Sequence, residues 1–288
     1  MIYYVLLGCS VVLAVVKSAF VKKHSSHAPD KNSPIFFFNL VAYGLATVMQ
    51  LIVYGLPSFS WWTGLPAAGY AISCYLMQLF LMKSMAVGSM ALSSLFCMYG
   101  MLIPTVAGPV FFGESFSVLQ GIGVVLMILA IFFSVDVKKC ESSSSKKWLI
   151  FALFTLLFSG MVGIFEKVHQ TGPNKADIHS FLSCAFIMIT LLNAVTLPIA
   201  RKSETVRPSL KSGLIIAILT GLVVVFYNRI NLILAGTLDA MIYYPISSGG
   251  AVLLTIIVSV TLFHEPLKRN HIFCFISGTV AILLLGIF

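Results

Sequence analysis

Ten stretches of the chain, each about 20 residues long, carry almost no charge. They span 2–20, 34–55, 61–82, 88–112, 117–135, 148–168, 178–198, 212–231, 237–262 and 270–288. A helix needs about 20 mostly apolar residues to cross the hydrocarbon core of a bilayer. Nothing in that core can hydrogen-bond to bare backbone, so the runs are expected to be helices. They are continuous rather than alternating, which argues against a β-barrel. The weakest boundary lies between the third and fourth runs, where Lys83, Gly88 and Ser89 interrupt a nearly unbroken apolar stretch. Met1 runs straight into apolar residues without a basic leader or a small-residue cleavage site, so the first run is expected to stay as a membrane helix.

Charge and composition agree with this reading. Only 9% of residues are charged and 59% are hydrophobic, with a mean hydropathy of +1.02, whereas about a quarter of a soluble domain is charged. The net charge of +9 does not point to nucleic acid, because the basic residues fill short gaps between apolar runs rather than one helix face. Five of the six cysteines lie inside apolar runs and none forms a CxxC pair. They are expected to be packing residues, with neither a disulfide framework nor a metal site. His24, His27, His169, His179, His264 and His271 lack metal-ligand spacing, and most are expected in solvated loops. No Walker loop, GxSxG, HExxH or pair of intramembrane aspartates is present. ATP-driven pumping and membrane-embedded hydrolysis are therefore disfavoured, and neither enzymatic activity nor a cofactor is expected.

A polar stretch at 136–147, DVKKCESSSSKK, divides the chain into similar halves. The expected organisation is a five-helix repeat over 1–136, a linker over 137–147 and a second repeat over 148–288. Ser10-x6-Lys17 near the front of one half matches Ser159-x6-Glu166 in the other. Gly113-Glu114-Ser115-Phe116 before the fifth run matches His264-Glu265-Pro266-Leu267 before the tenth. Glu114 and Glu265 read as helix-cap residues, since carboxylates favour helix N-termini. Five is odd, so the second unit must enter the membrane the other way round. The fold class expected is an all-α membrane protein of ten transmembrane helices in two inverted five-helix repeats, a plan common among secondary transporters.

Of the 18 Lys and Arg residues, 14 fall in gaps after odd-numbered runs. Cationic residues collect on the cytoplasmic side, so both termini are expected outside, in a plasma (inner) membrane.

The two Gly-Glu and His-Glu-Pro-Leu turns, with Pro104 in the fourth run and Pro245 in the ninth, resemble the drug/metabolite transporter superfamily, specifically its ten-helix EamA-like members. The resemblance covers nearly the whole chain. It implies a central cavity lined by the fourth and ninth helices, with Tyr99, Tyr243, Tyr244 and Ser247 as lining residues. Leu13-Ala14-Val15-Val16 and Lys22-Lys23 resemble the first helix of the small multidrug resistance branch. That branch has a proton-coupled Glu where this chain has Val15, so its carboxylate-based exchange is not carried over. Many members of the family have cytoplasmic termini, whereas the charge distribution here favours external ones.

Ionisable groups inside a membrane are costly and are functional candidates by default. Here they are Lys17, Glu166 and Arg229. The last two are expected toward the outside, where they can pair across a cavity. Buried amides also need partners, from neighbouring helices or from a substrate. Those within runs are Asn39, Gln50, Gln78 and Asn193, with a denser group at Tyr227, Asn228 and Asn231. The function expected is secondary transport of a small polar or amphipathic metabolite, amino-acid-like or neutral, by alternating access. The partners expected are that small molecule and the lipid bilayer, with a homodimer left open. The alternative is a non-transporting membrane scaffold or accessory subunit, whose centre would be dry and packed.

Overall fold

The computed structural model describes residues 2–25, 32–88, 90–113, 117–134, 143–204 and 213–264, with isolated helical positions at 276, 280, 281 and 284. The described residues form α1 (Ile2–Ser25), α2 (Asn32–Tyr54), α3 (Trp61–Val87), α4 (Met90–Tyr99), α5 (Leu102–Phe111), α6 (Val118–Ser134), α7 (Ser143–Thr171), α8 (Ile178–Ser203), α9 (Leu214–Thr237) and α10 (Ala240–Phe263). Eight helical units are long and apolar enough to cross a membrane, with α4 and α5 counted as one. This is the make-up of an all-α, multi-pass membrane protein. The 17-residue α6 is at the lower limit for spanning. The tenth expected run lies almost wholly outside the described residues, as do Glu114 and Glu265.

Most helices outrun their apolar segments. α1 continues through Lys22 and Lys23 to Ser25, and α7 starts at Ser143, inside the expected linker. A helix does not stop where hydrophobicity stops, because long cationic side chains reach water from its last turns. The fourth run breaks at Gly100–Met101, between α4 and α5. Pro104 has no N–H to offer the Gly100 carbonyl, which accepts from the Ile103 amide instead at 3.0 Å. The ninth run contains Pro245 but does not break, and α10 is one helix from Ala240 to Phe263. Pro245 falls in the second turn of α10, so little helix precedes it to be kinked away.

Packing pairs early helices with late ones: α3 with α7, α2 with α8 and α9, α3 with α8, α1 with α9 and α10, and α4 and α5 with both α7 and α10. Two of the close helix contacts lie at Gly100 and Gly250. At Gly100, an added Cβ would lie 2.6 Å from the Leu156 carbonyl and 2.8 Å from the Gly160 amide, both on α7. At Gly250 on α10, it would meet only the Val11 side chain of α1, at 3.1 Å. Small residues let helix backbones approach in this way, gaining dispersion contacts that lipid does not supply.

Side chains from neighbouring helices tie the helix ends. At the end of the bundle where α1 finishes, Lys22 Nζ donates to the carbonyls of Met85 and Gly88, both at 3.0 Å, closing the C-terminus of α3. The Glu204 carboxylate accepts from the amides of Asn32 and Ser33 at the start of α2, at 2.8 and 3.0 Å. At the opposite end, Lys167 Nζ donates to the Leu238 carbonyl, which caps α9, at 3.4 Å. Asp177 caps α8 by accepting from the Ser180 amide at 3.1 Å and the Ser58 hydroxyl at 2.6 Å. Burial raises the Asp177 carboxyl, but the bonds from Ser58 and Ser180 and the nearby His179 outweigh it and hold the group below the ordinary Asp range. A carboxyl depressed in the folded state contributes stability above its unfolded pKa and loses it as the pH falls through the folded value.

The glycine geometry predicts unequal effects of the same substitution. Gly100→Ala must push backbone against backbone and is expected to cost about 1–3 kcal/mol. Gly250→Ala meets only a side chain and is expected to cost less. Thermal unfolding of the two purified variants in detergent checks the order.

Candidate functional site

A cavity lies inside the helix bundle, offering about 100 Å³ to the centres of water molecules. This is room for several waters or for one small solute. Its wall comes from α1, α3 and the α4–α5 break on one side, and from α7, α9 and α10 on the other. The polar lining includes Lys17, Tyr70, Glu166, Tyr227, Asn228, Asn231, Tyr243 and Ser247.

The two charges stand out. Lys17 is eight residues, about 12 Å of helix, from the end of α1 at Ser25. This is deeper than its place near the end of the first apolar run led us to expect. Its ammonium sits over the Tyr227 ring, 4.8 Å from the centroid. Glu166, on α7, is only 5% exposed. Among the described residues its carboxylate accepts no hydrogen bond, and Lys17 is the cation whose field reaches it. The two make no direct ion pair.

The amides beside them are spent inside the protein. Asn228 Oδ1 accepts from the Tyr70 hydroxyl at 2.8 Å, and Asn228 Nδ2 donates to the Val224 carbonyl at 3.0 Å. The Ser10 hydroxyl donates to Asn231 Oδ1. Tyr43 contacts Cys74 Sγ through its hydroxyl at 3.0 Å and accepts from Gln78 Nε2 at 3.4 Å, a polar chain just behind the cavity wall.

Seven residues singled out in the sequence meet at this cavity: Lys17, Glu166, Tyr227, Asn228, Asn231, Tyr243 and Ser247. The others lie elsewhere. Arg229 does not pair with Glu166. Its guanidinium stacks on the Tyr54 ring, 4.3 Å from the centroid, and Tyr54 in turn lies 5.3 Å from the His179 ring. The reason is helical geometry: Asn228 and Asn231 point into the cavity, and Arg229, about 100° round α9 from Asn228, points toward α2. Tyr99 is fully buried among Leu7, Leu95 and Leu234. Asn39 is buried on α2 outside the cavity, and Gln78 turns to Tyr43. Asn193 donates to its own helix at the Ile189 carbonyl, 2.8 Å away. The side chain of Tyr244 lies outside the described residues. Histidines also depart from expectation: His24 and His169 are buried in helices, the latter 4.3 Å from the Phe181 ring.

Tyr70 and Cys74 line the cavity too, as does Ser159, which the sequence marked only by its spacing to Glu166. The signal was there in part. Tyr70, Cys74 and Gln78 recur at four-residue spacing, so one polar face runs along a helix that is otherwise apolar.

No protein-family model matches the chain, and no curated protein matches it. A solved crystal structure of another protein shares its fold, with a TM-score of 0.69 over 99% of this chain and 97% of that one, at 10% sequence identity.

The Tyr70–Asn228 bond joins α3 to α9 across the cavity wall. Tyr70→Phe is expected to lower stability by about 0.6–1.7 kcal/mol, the range of interhelical bonds in membranes. Thermal unfolding of the purified variant in detergent checks it.

Proposed function

We propose that this protein is a secondary transporter that moves a small polar or amphipathic metabolite by alternating access. On this reading it is an EamA-like member of the drug/metabolite transporter superfamily, with ten helices in two inverted repeats. The observation that carries the proposal is the polar cavity with two ionisable side chains, Lys17 and Glu166, inside an otherwise apolar bundle. A scaffold has no need of ionisable groups at its centre, and such groups are costly there.

The packing supports the repeat. When α1 is exchanged for α7, α2 for α8, α3 for α9 and the α4–α5 pair for α10, the helix pairings map onto themselves: α3 with α7 becomes α9 with α1, and α2 with α9 becomes α8 with α3. The close contact of Gly100 with Gly160 corresponds to that of Gly250 with Val11. Lys17 and Glu166 are equivalent in the same sense, and both line the cavity.

The helix-end ties support alternating access. Lys22 holds the end of α3 and Lys167 the end of α9, at equivalent places on opposite ends of the bundle. On this reading each tie holds the helices together at one end of the bundle, so loosening one favours opening to that side alone. The end with Lys22, Lys23, Lys83, Lys146, Lys147, Arg201 and Lys202 is the cytoplasmic one by the charge rule, with the start of α1 outside.

Uptake by proteoliposomes from a mixed metabolite pool, resolved by mass spectrometry, tests transport. Accumulation of no solute above protein-free vesicles counts for the scaffold, and loss of accumulation in Glu166→Gln is expected if this cavity is the transport site. The ties have their own test. In a variant that keeps Cys97 alone, Lys22→Met is expected to raise labelling by an impermeant maleimide several-fold from the cytoplasmic side. Lys167→Met is expected to raise it from the other side. Equal labelling from both sides in each variant would remove the gating role.

A further inference from the structure

We propose that Lys17 and Glu166 are the two poles of a site for a small zwitterion, with its carboxylate at Lys17 and its ammonium at Glu166. The inference rests on the cavity being the transport site and names what the cavity accepts.

The first argument is charge balance. A lysine and a glutamate face the same small cavity from α1 and α7, and each is charged at least cost when an ion of opposite sign lies beside it. Neither is spent on the protein. Glu166 is nine-tenths buried and accepts no hydrogen bond among the described residues, and Lys17, half-buried, holds its ammonium over the face of Tyr227. Buried charges without partners are expensive. A solute with one charge of each sign repairs both deficits, a single ion repairs one and leaves the other, and a sugar repairs neither.

The second argument is competition for polar groups. Asn228 and Asn231 are engaged by Tyr70 and Ser10, so the amides that would otherwise read a neutral polar solute are occupied. The unspent charges are the strongest recognition elements left on the wall.

The third is placement. Lys17 lies toward the end of the bundle where α1 finishes, and Glu166, five residues before Thr171, toward the end where α7 finishes. These are opposite ends, so the two poles are offset along the transport axis. A zwitterion is held lengthwise, and exchanging the halves exchanges the poles. The remaining wall includes Met77, Met98 and Met101, whose soft, adaptable side chains suit a short apolar substituent.

The test uses the full-length protein in detergent and thermal-shift titration. The panel holds the proteinogenic amino acids, glycine betaine, the amine and the carboxylic acid matched to each amino acid that binds, and neutral sugars. At least one zwitterion is expected to stabilise the protein at concentrations at least ten-fold lower than its matched amine or acid. Glu166→Gln is expected to abolish that preference and bring the acid level with the zwitterion. Lys17→Met is expected to do the same for the amine. The double variant K17E/E166K keeps both poles, reversed, and is expected to recover zwitterion preference, which separates lost recognition from lost folding. Binding of sugars or single ions in preference to every zwitterion overturns the proposal and leaves transport standing. So does zwitterion preference that survives both single substitutions. Absence of binding by the whole panel, together with absence of uptake from the mixed pool, overturns the transport reading itself.

Discussion

A helix end in or near a bilayer leaves several carbonyls or amides without partners, and hydrocarbon gives them none. In this bundle the ends are satisfied by reaching across. Lys22 closes α3 from α1, and Lys167 closes the cap of α9 from α7. Glu204 closes α2 from the end of α8, while Asp177 at the start of α8 takes the hydroxyl of Ser58 beyond α2. Each bond satisfies a backbone group and also fixes which helix lies beside which. The neighbours set this way bring α1, α3, α7 and α9 round one cavity. Without the end ties the central charges would have no common space to face.

The cavity depends in turn on the break between α4 and α5. Gly100 brings its backbone against Gly160 of α7, and Pro104 prevents the regular bond that would keep the helix straight. The result is one irregular wall opposite the straight α10. Backbone departures of this kind are tolerated in a membrane where protein or a water-filled space covers them, and here α7 and the cavity do so.

The helices were legible because about 20 apolar residues in a row admit few structures in a bilayer. The Ser10-x6-Lys17 and Ser159-x6-Glu166 match was legible because equal spacing within a helix preserves the face. What failed were judgements of direction. Arg229 sits one residue from Asn228 in sequence and about 100° away on the helix, so proximity in the chain misled. Tyr99 satisfies every composition criterion for a lining residue, yet it faces Leu95 and Leu234. Pro245 and Pro104 look alike as letters, but only Pro104 has Gly100 four residues before it, and only that run breaks. His169 shows a limit of another kind: an aromatic partner on the next helix, Phe181, makes burial tolerable, and no helical periodicity announces it.

The duplicated end ties have a consequence for biogenesis. Because Lys22 and Lys167 perform the same task at opposite ends, the packed interior is nearly indifferent to which way up the chain is threaded. A flipped copy would still find its caps. The decision therefore falls on the helix ends and loops, where Lys23, Lys146, Lys147, Arg201 and Lys202 crowd the helix ends on one side and Lys175 stands in a loop on the other. By the positive-inside rule, polarity is read from such flanking charges rather than from the packed interior. Topology and architecture are thus written in separate parts of the same chain, and each can drift without disturbing the other.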